Sequence, residues 1–91
     1  EGYLALRDLP AALKDFTQAI TLDPKNVGAY LGRGLTQARA STFDEAFADL
    51  NRAIELDPRS ARAFAYRAFV YKQTGQIGVG QKDIETALKL D

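Results

Sequence analysis

Asp15-Phe16-Thr17-Gln18-Ala19-Ile20-Thr21-Leu22-Asp23-Pro24 recurs as Asp49-Leu50-Asn51-Arg52-Ala53-Ile54-Glu55-Leu56-Asp57-Pro58, and a third copy, Asp83-Ile84-Glu85-Thr86-Ala87-Leu88-Lys89-Leu90-Asp91, follows. The two prolines stand 34 residues apart, as do Asp49 and Asp83. A fixed offset of this size marks a repeat architecture. One small unit is copied along the chain, and each copy buries its apolar face on the next.

The residues around these copies read as helices. Pro24 and Pro58 end helices, because proline donates no hydrogen bond and disfavours a helical residue before it. Asn26 and Ser60 are good N-cap types for the segments that follow. Thr42-Phe43-Asp44-Glu45 reads as a capping box, with Thr42 as cap and Glu45 three residues on. From Ala46, the apolar residues Phe47, Leu50, Ala53 and Ile54 recur at three and four, the spacing of one helical face. Pro10 suits a first helical turn. The expected segments are an incomplete helix to about Leu6, then 10–22, 27–40, 43–56, 60–74 and 77–90. Alanines at 12, 19, 46 and 53 let neighbouring helices approach closely. Gly78 and Gly80 cost about 1 kcal/mol each relative to alanine, so the last helix is expected to fray unless something covers it.

Thirty-four residues is the period of the tetratricopeptide repeat, and the chain resembles that family at several anchors. The family's aromatic-x-x-Leu-Gly-x-x-Tyr opening is matched by Tyr30-x-x-Arg33-Gly34-x-x-Gln37 and Phe64-x-x-Arg67-Ala68-x-x-Tyr71. Its Ala-x-x-x-Phe element is matched by Ala12…Phe16 and Ala46…Leu50; the third copy has Gly80 in place of that alanine. The resemblance covers the whole chain. It implies an all-α fold, with antiparallel helix-turn-helix repeats stacked into a right-handed superhelix. Residues 1–24 would be the back part of one repeat, 25–58 a full repeat and 59–91 a near-complete one. Glu1 falls inside a first helix, so the chain is read as an excerpt, with any signal peptide upstream.

In this family the first helix of each repeat lines a concave groove. Carried over residue by residue, that implies Gly28, Leu31, Leu35, Ala38 and Arg39 from 27–40, and Arg62, Ala65, Tyr66, Phe69, Lys72 and Gln73 from 60–74, with Leu4 from the truncated helix. Such a groove suits an extended or helical peptide. The competing reading is that these apolar residues pack against adjacent repeats. Some relatives grip the terminal carboxylate of chaperones with basic and asparagine residues. Here only Arg62 matches a basic clamp position; Gly32 and Tyr66 stand where an asparagine and an arginine would be, and Glu1 replaces the asparagine of the first helix.

Charge separates the two helix types. Residues 59–72 carry Arg59, Arg62, Arg67 and Lys72 and no acid; residues 25–39 carry Lys25, Arg33 and Arg39 and no acid. Residues 44–57 carry Asp44, Glu45, Asp49, Glu55 and Asp57 against Arg52 alone. A basic inner layer favours an acidic peptide. Arg33 and Arg67, however, recur at the repeat period, as do Asp15, Asp49 and Asp83. An interhelical Arg–Asp pair inside the stack is therefore the leading reading of these two arginines, since a buried guanidinium needs a partner.

Composition narrows the chemistry. The 91 residues suffice for one small core. A hydrophobic share of 46% is too high for a disordered chain. Twelve basic residues balance twelve acidic ones, which argues against nucleic acid as the main partner. With no cysteine or histidine, disulfides, thiolate nucleophiles, zinc ligation by those residues and imidazole catalysis are excluded. No apolar run is long enough for a membrane span. Gly75-Gln76-Ile77-Gly78-Val79-Gly80-Gln81-Lys82 lacks the Lys-Ser/Thr ending and the preceding strand of a phosphate loop. The expectation is a protein-binding scaffold without catalytic residues, metal or cofactor. The alternatives are a self-assembly (homodimer) module and a regulatory region of a larger enzyme. The compartment is left open.

Overall fold

The computed structural model describes residues 9–90, which form five helices: α1 (Leu9–Leu22), α2 (Val27–Arg39), α3 (Phe43–Leu56), α4 (Ala61–Gln73) and α5 (Ile77–Leu90). The helix expected up to Leu6, and with it Leu4, lies outside the described residues. Elsewhere the boundaries agree with the sequence reading to within a residue. The described residues contain no strand.

Local chemistry explains where each helix starts and stops. Asn26 Oδ1 accepts the N–H of Ala29 at 3.0 Å, and Ser60 Oγ accepts that of Ala63 at 3.2 Å, so both expected N-caps form. Ahead of them, Asp23 and Asp57 turn a carboxylate oxygen onto the N–H of Lys25 and Arg59, at 3.1 and 3.2 Å. Each Asp-Pro pair thus folds its own turn. The expected capping box at Thr42 does not form: no side-chain bond caps α3. The reason lies in the end of α2. There the N–H of Thr42 donates to the carbonyl of Gln37 at 2.9 Å and that of Ser41 to Ala38 at 3.1 Å, a Schellman closure. The Thr42 hydroxyl donates to the same Gln37 carbonyl, 3.1 Å away, and so points away from α3. The end of α4 closes identically, with Gln76 on Tyr71 at 2.7 Å and Gly75 on Lys72 at 3.1 Å. Gly75 takes the positive φ of +82° that this closure demands; Ser41 takes +65° at the matching place.

The helices pack as successive hairpins, α2 against α3 and α4 against α5, with α1 on α2 and α4 lying on both α2 and α3. The core is made of Leu31, Ala38, Ala46, Leu50 and Ala53 of the first hairpin with Ala63 and Val70 of α4. Tyr30, Phe43, Phe47, Ile54 and Tyr66 close around it. Four of those seven core residues are alanine, so the backbones themselves come close.

Each hairpin has a crossing at which a small residue meets the facing helix. A Cβ on Gly34 would stand 2.9 Å from Leu50 Cγ and 3.4 Å from the Ala46 carbonyl oxygen. Thirty-four residues later the small residues exchange sides, with Ala68 on α4 and Gly80 on α5, and a Cβ on Gly80 would stand 3.0 Å from the Ala68 carbonyl oxygen. This corrects the expectation for Gly80. It is a buried contact at the α4–α5 crossing, whereas Gly78 faces open space.

Candidate protein-interaction surface

Two arginines tie the hairpins internally. Arg33 Nε and Nη2 donate to the two carboxylate oxygens of Asp49 at 2.7 and 2.8 Å. Arg67 repeats the fork on Asp83, at 2.8 Å to each oxygen. Both aspartates are buried and both guanidinium groups half-buried. The bidentate hydrogen bond raises each arginine above its ordinary pKa, and the carboxylate charge adds to it against the opposing effect of burial. Arg67 also lies 5.5 Å from the ring centre of Phe64 and 6.0 Å from that of Tyr71, a further stabilising contact for the cation. The structural reading of Arg33 and Arg67 is thereby settled, with partners chosen: Asp49 for the first and Asp83 for the second.

Each arginine has further N–H groups to place, and one of them finds a partner on another helix. Arg33 Nη1 reaches Thr17 Oγ1 at 3.3 Å, and Arg67 Nη1 reaches Asn51 Oδ1 at 2.9 Å. Thr17 lies on α1 and Asn51 on α3, so this bond joins each hairpin to the helix before it. Sequence reading missed this contact, although Thr17 and Asn51 stand in phase at the repeat period.

Removing these two arginines leaves Arg39, Arg62 and Lys72 as the cations of α2 and α4. All three are exposed, and none forms an ion pair among the described residues. The apolar residues expected in the groove divide. Ala38 is fully buried and Leu31 nearly so, both inside the core cluster, so neither offers a side chain to a peptide. Leu35 is half-buried, and Tyr66 packs half-exposed on the cluster. Gly28 is exposed. Phe69 is exposed, and together with Ala65 and Lys72 it lines a depression of about 330 Å³ shared with Ile77, Ile84, Ala87 and Leu88 of α5. Arg62 borders an adjoining hollow with Ala65 and Leu88. The α5 contributors were not expected; the signal for them was their phase, since Ile84 and Leu88 correspond to Leu50 and Ile54.

At Gly32, which resembles a clamp asparagine position in some relatives, the ring of Phe16 occupies the space a side chain would need. A polar clamp residue there would require the Phe16 ring to move. Among the described residues no group of three acidic, cysteine or histidine side chains could hold a metal ion, and no helix is long and apolar enough to cross a membrane.

The family profile described as Tetratricopeptide repeat matches residues 1–68. The chain belongs to the tetratricopeptide repeat family. Among solved structures, the one titled "MamA MSR-1 C2" is similar to it with a TM-score of 0.79 at 21% identity, covering 99% of this chain and 55% of that one. The chain thus spans little more than half the length of that relative, and at this identity the likeness concerns the fold. Comparison with curated protein sequences finds no significant match. As a tetratricopeptide repeat, the chain is in general terms a protein-interaction scaffold, of a family that is generally non-catalytic.

Proposed function

We propose that this scaffold binds an acidic peptide or helix along the face of α2 and α4 that carries Leu35, Arg39, Arg62, Tyr66, Phe69 and Lys72. The observation behind it is the charge of that face. Neither α2 nor α4 contains an acidic residue, and their three exposed cations have no ion-pair partner among the described residues. Half-exposed Leu35 and Tyr66 and exposed Phe69 lie on the same helices and would supply apolar anchors. A carboxylate-rich ligand would gain steering and charge-assisted hydrogen bonds from such a face.

A peptide-array screen with the parent chain and with Leu35→Glu, Phe69→Glu and Arg62→Glu variants tests this. Loss of the acidic ligands in folded variants supports the reading, and unchanged ligand sets reject it. Self-association is the competing reading, and it has the exposed Ile84 and Leu88 in its favour. Sedimentation velocity over a concentration series tests self-association: a dimer that grows with concentration supports it, and a monomer throughout removes it.

A further inference from the structure

Arg39 and Arg62 stand at opposite corners of the α2–α4 face, and the repeat period fixes their separation. Arg62 opens α4 in phase with Gly28, 34 residues earlier; Arg39, in the last turn of α2, is in phase with Gln73. Each of α2 and α4 is the first helix of its hairpin, so the two run in the same direction. The eleven residues from Gly28 to Arg39 rise about 16 Å along a helix. Helices in contact lie about 9 Å apart, which puts the two arginines about 19 Å apart across the diagonal. Four residues in from each corner, about one turn, stands a half-buried side chain: Leu35 beside Arg39 and Tyr66 beside Arg62.

These corners face solvent inside the stack and not only at its edge. Gly28 and Arg39 stay exposed although α4 covers Leu31 and Ala38 on the neighbouring side of α2. Arg62 and Gln73 are exposed at the same two phases. Lys72, the third exposed cation of these helices, lies off the diagonal. It falls about 80° round α4 from Arg62, toward the side where Ala68 meets Gly80, and lines the depression shared with α5. Its phase is that of Ala38, which is fully buried.

An extended chain rises about 3.3 Å per residue, so about six residues span the diagonal, and residues i, i+2, i+4 and i+6 point to one side. On a helical ligand the same distance takes about twelve or thirteen residues, and those positions point more than about 100° away from the first. We infer that the acidic ligand crosses this face as an extended strand. Its carboxylates at i and i+6 pair with Arg39 and Arg62, and apolar side chains at i+2 and i+4 rest on Leu35 and Tyr66. Neither arginine has an ion-pair partner among the described residues, and neither α2 nor α4 carries an acid to compete with the ligand. The inference rests on the acidic-peptide reading and gives it a register.

The probes are labelled peptides of equal length and charge, blocked at both ends, with two glutamates about four, six or eight residues apart around one pair of leucines. Binding to the 91-residue protein is read by fluorescence anisotropy. The six-residue spacing should bind about threefold to fivefold more tightly than the other two. Arg39→Gln and Arg62→Gln should each abolish that preference, whereas Lys72→Gln should weaken all three peptides alike. All three positions are exposed, and circular dichroism checks that the variants stay helical. Equal affinity at every spacing would overturn the inference and leave the acidic-peptide reading standing, as would a preference that survives both arginine variants. Tightest binding by a helical peptide with glutamates about eleven residues apart would overturn it too, because such a ligand lies along one helix. Absence of binding by every acidic peptide would overturn the acidic-peptide reading, and the inference with it.

Discussion

Arg67 grips both carboxylate oxygens of Asp83 at 2.8 Å, joining α4 to α5 beside the crossing where Gly80 meets Ala68. Removing only the arginine leaves a carboxylate buried without its partner. Arg67→Leu alone should therefore destabilise the chain by about 2–3 kcal/mol in urea denaturation. The double replacement Arg67→Leu/Asp83→Leu should recover most of that loss, because the desolvation of both charges disappears with them. If the double variant is as weak as the single, the pair contributes more than mutual compensation. The sign of the pH effect follows from the raised arginine pKa. A group raised in the folded state contributes fully below its unfolded pKa and loses that contribution as pH rises through the folded one. Both lie in strongly alkaline solution, so the arginine side of the pair should add no pH dependence near neutrality.

Gly78 and Gly80 are two residues apart in one helix and should respond oppositely to alanine. At Gly78 a Cβ meets nothing within 4 Å, so Gly78→Ala should stabilise the chain by about 0.5–1 kcal/mol through helix propensity. At Gly80 the new Cβ meets the backbone oxygen of Ala68 at 3.0 Å and Tyr71 Cβ at 3.2 Å, and a backbone group cannot simply turn aside. Gly80→Ala should cost about 1–2 kcal/mol net. Thermal melting of the two single variants is a direct comparison, and equal stabilisation by both would show that α5 shifts freely on α4.

What the sequence revealed and what it concealed follows from the range of each interaction. Asn26, Ser60, Pro24 and Pro58 act on the backbone within a few residues, so helix ends could be read from them. The arginine–aspartate pairs were legible because Arg33 and Arg67 share the period of Asp49 and Asp83, although Asp15 shares it too and the period alone does not say which aspartate each arginine takes. Thr42 misled because its hydroxyl had two backbone targets, and the Schellman turn behind it settled which was nearer. Leu31 and Ala38 misled in another way. The side of α2 expected to face a groove and the side that α4 covers are only a fraction of a turn apart, and only three-dimensional packing decides the boundary. Gly80 looked like a weak point because propensity carries no knowledge of the Ala68 carbonyl beside it.

Ser41 holds φ at +65° in the turn where Gly75 holds +82° in the next hairpin. The same pair of backbone hydrogen bonds closes both turns, so the conformation is fixed by the Schellman geometry and not by the residue. An L-residue with a Cβ pays about 1 kcal/mol for this region. Ser41→Gly should raise stability by about that amount, less the added freedom of glycine in the unfolded chain, and Gly75→Ser should lower it. Chemical denaturation of both variants checks the prediction, and the expectation fails if Ser41→Gly lowers the midpoint.

Binding of an acidic peptide to the α2–α4 face should depend on salt in a way that identifies the cations involved. Arg39, Arg62 and Lys72 are exposed and carry no ion pair among the described residues, so their charge acts on an approaching ligand, whereas Arg33 and Arg67 are neutralised by Asp49 and Asp83. Raising ionic strength from about 0.05 M to about 0.5 M shortens the screening length to roughly a third, and association should slow by about tenfold. Arg62→Gln should weaken binding several-fold and flatten that salt dependence. Arg52→Gln is the matched control, since Arg52 is equally a surface arginine but is paired with Glu55 at 3.1 Å on α3. Stopped-flow association rates for the parent and the two variants measure both effects. If Arg52→Gln flattens the salt dependence as much as Arg62→Gln does, the ligand is steered by the overall field of the protein and not by the face that α2 and α4 share.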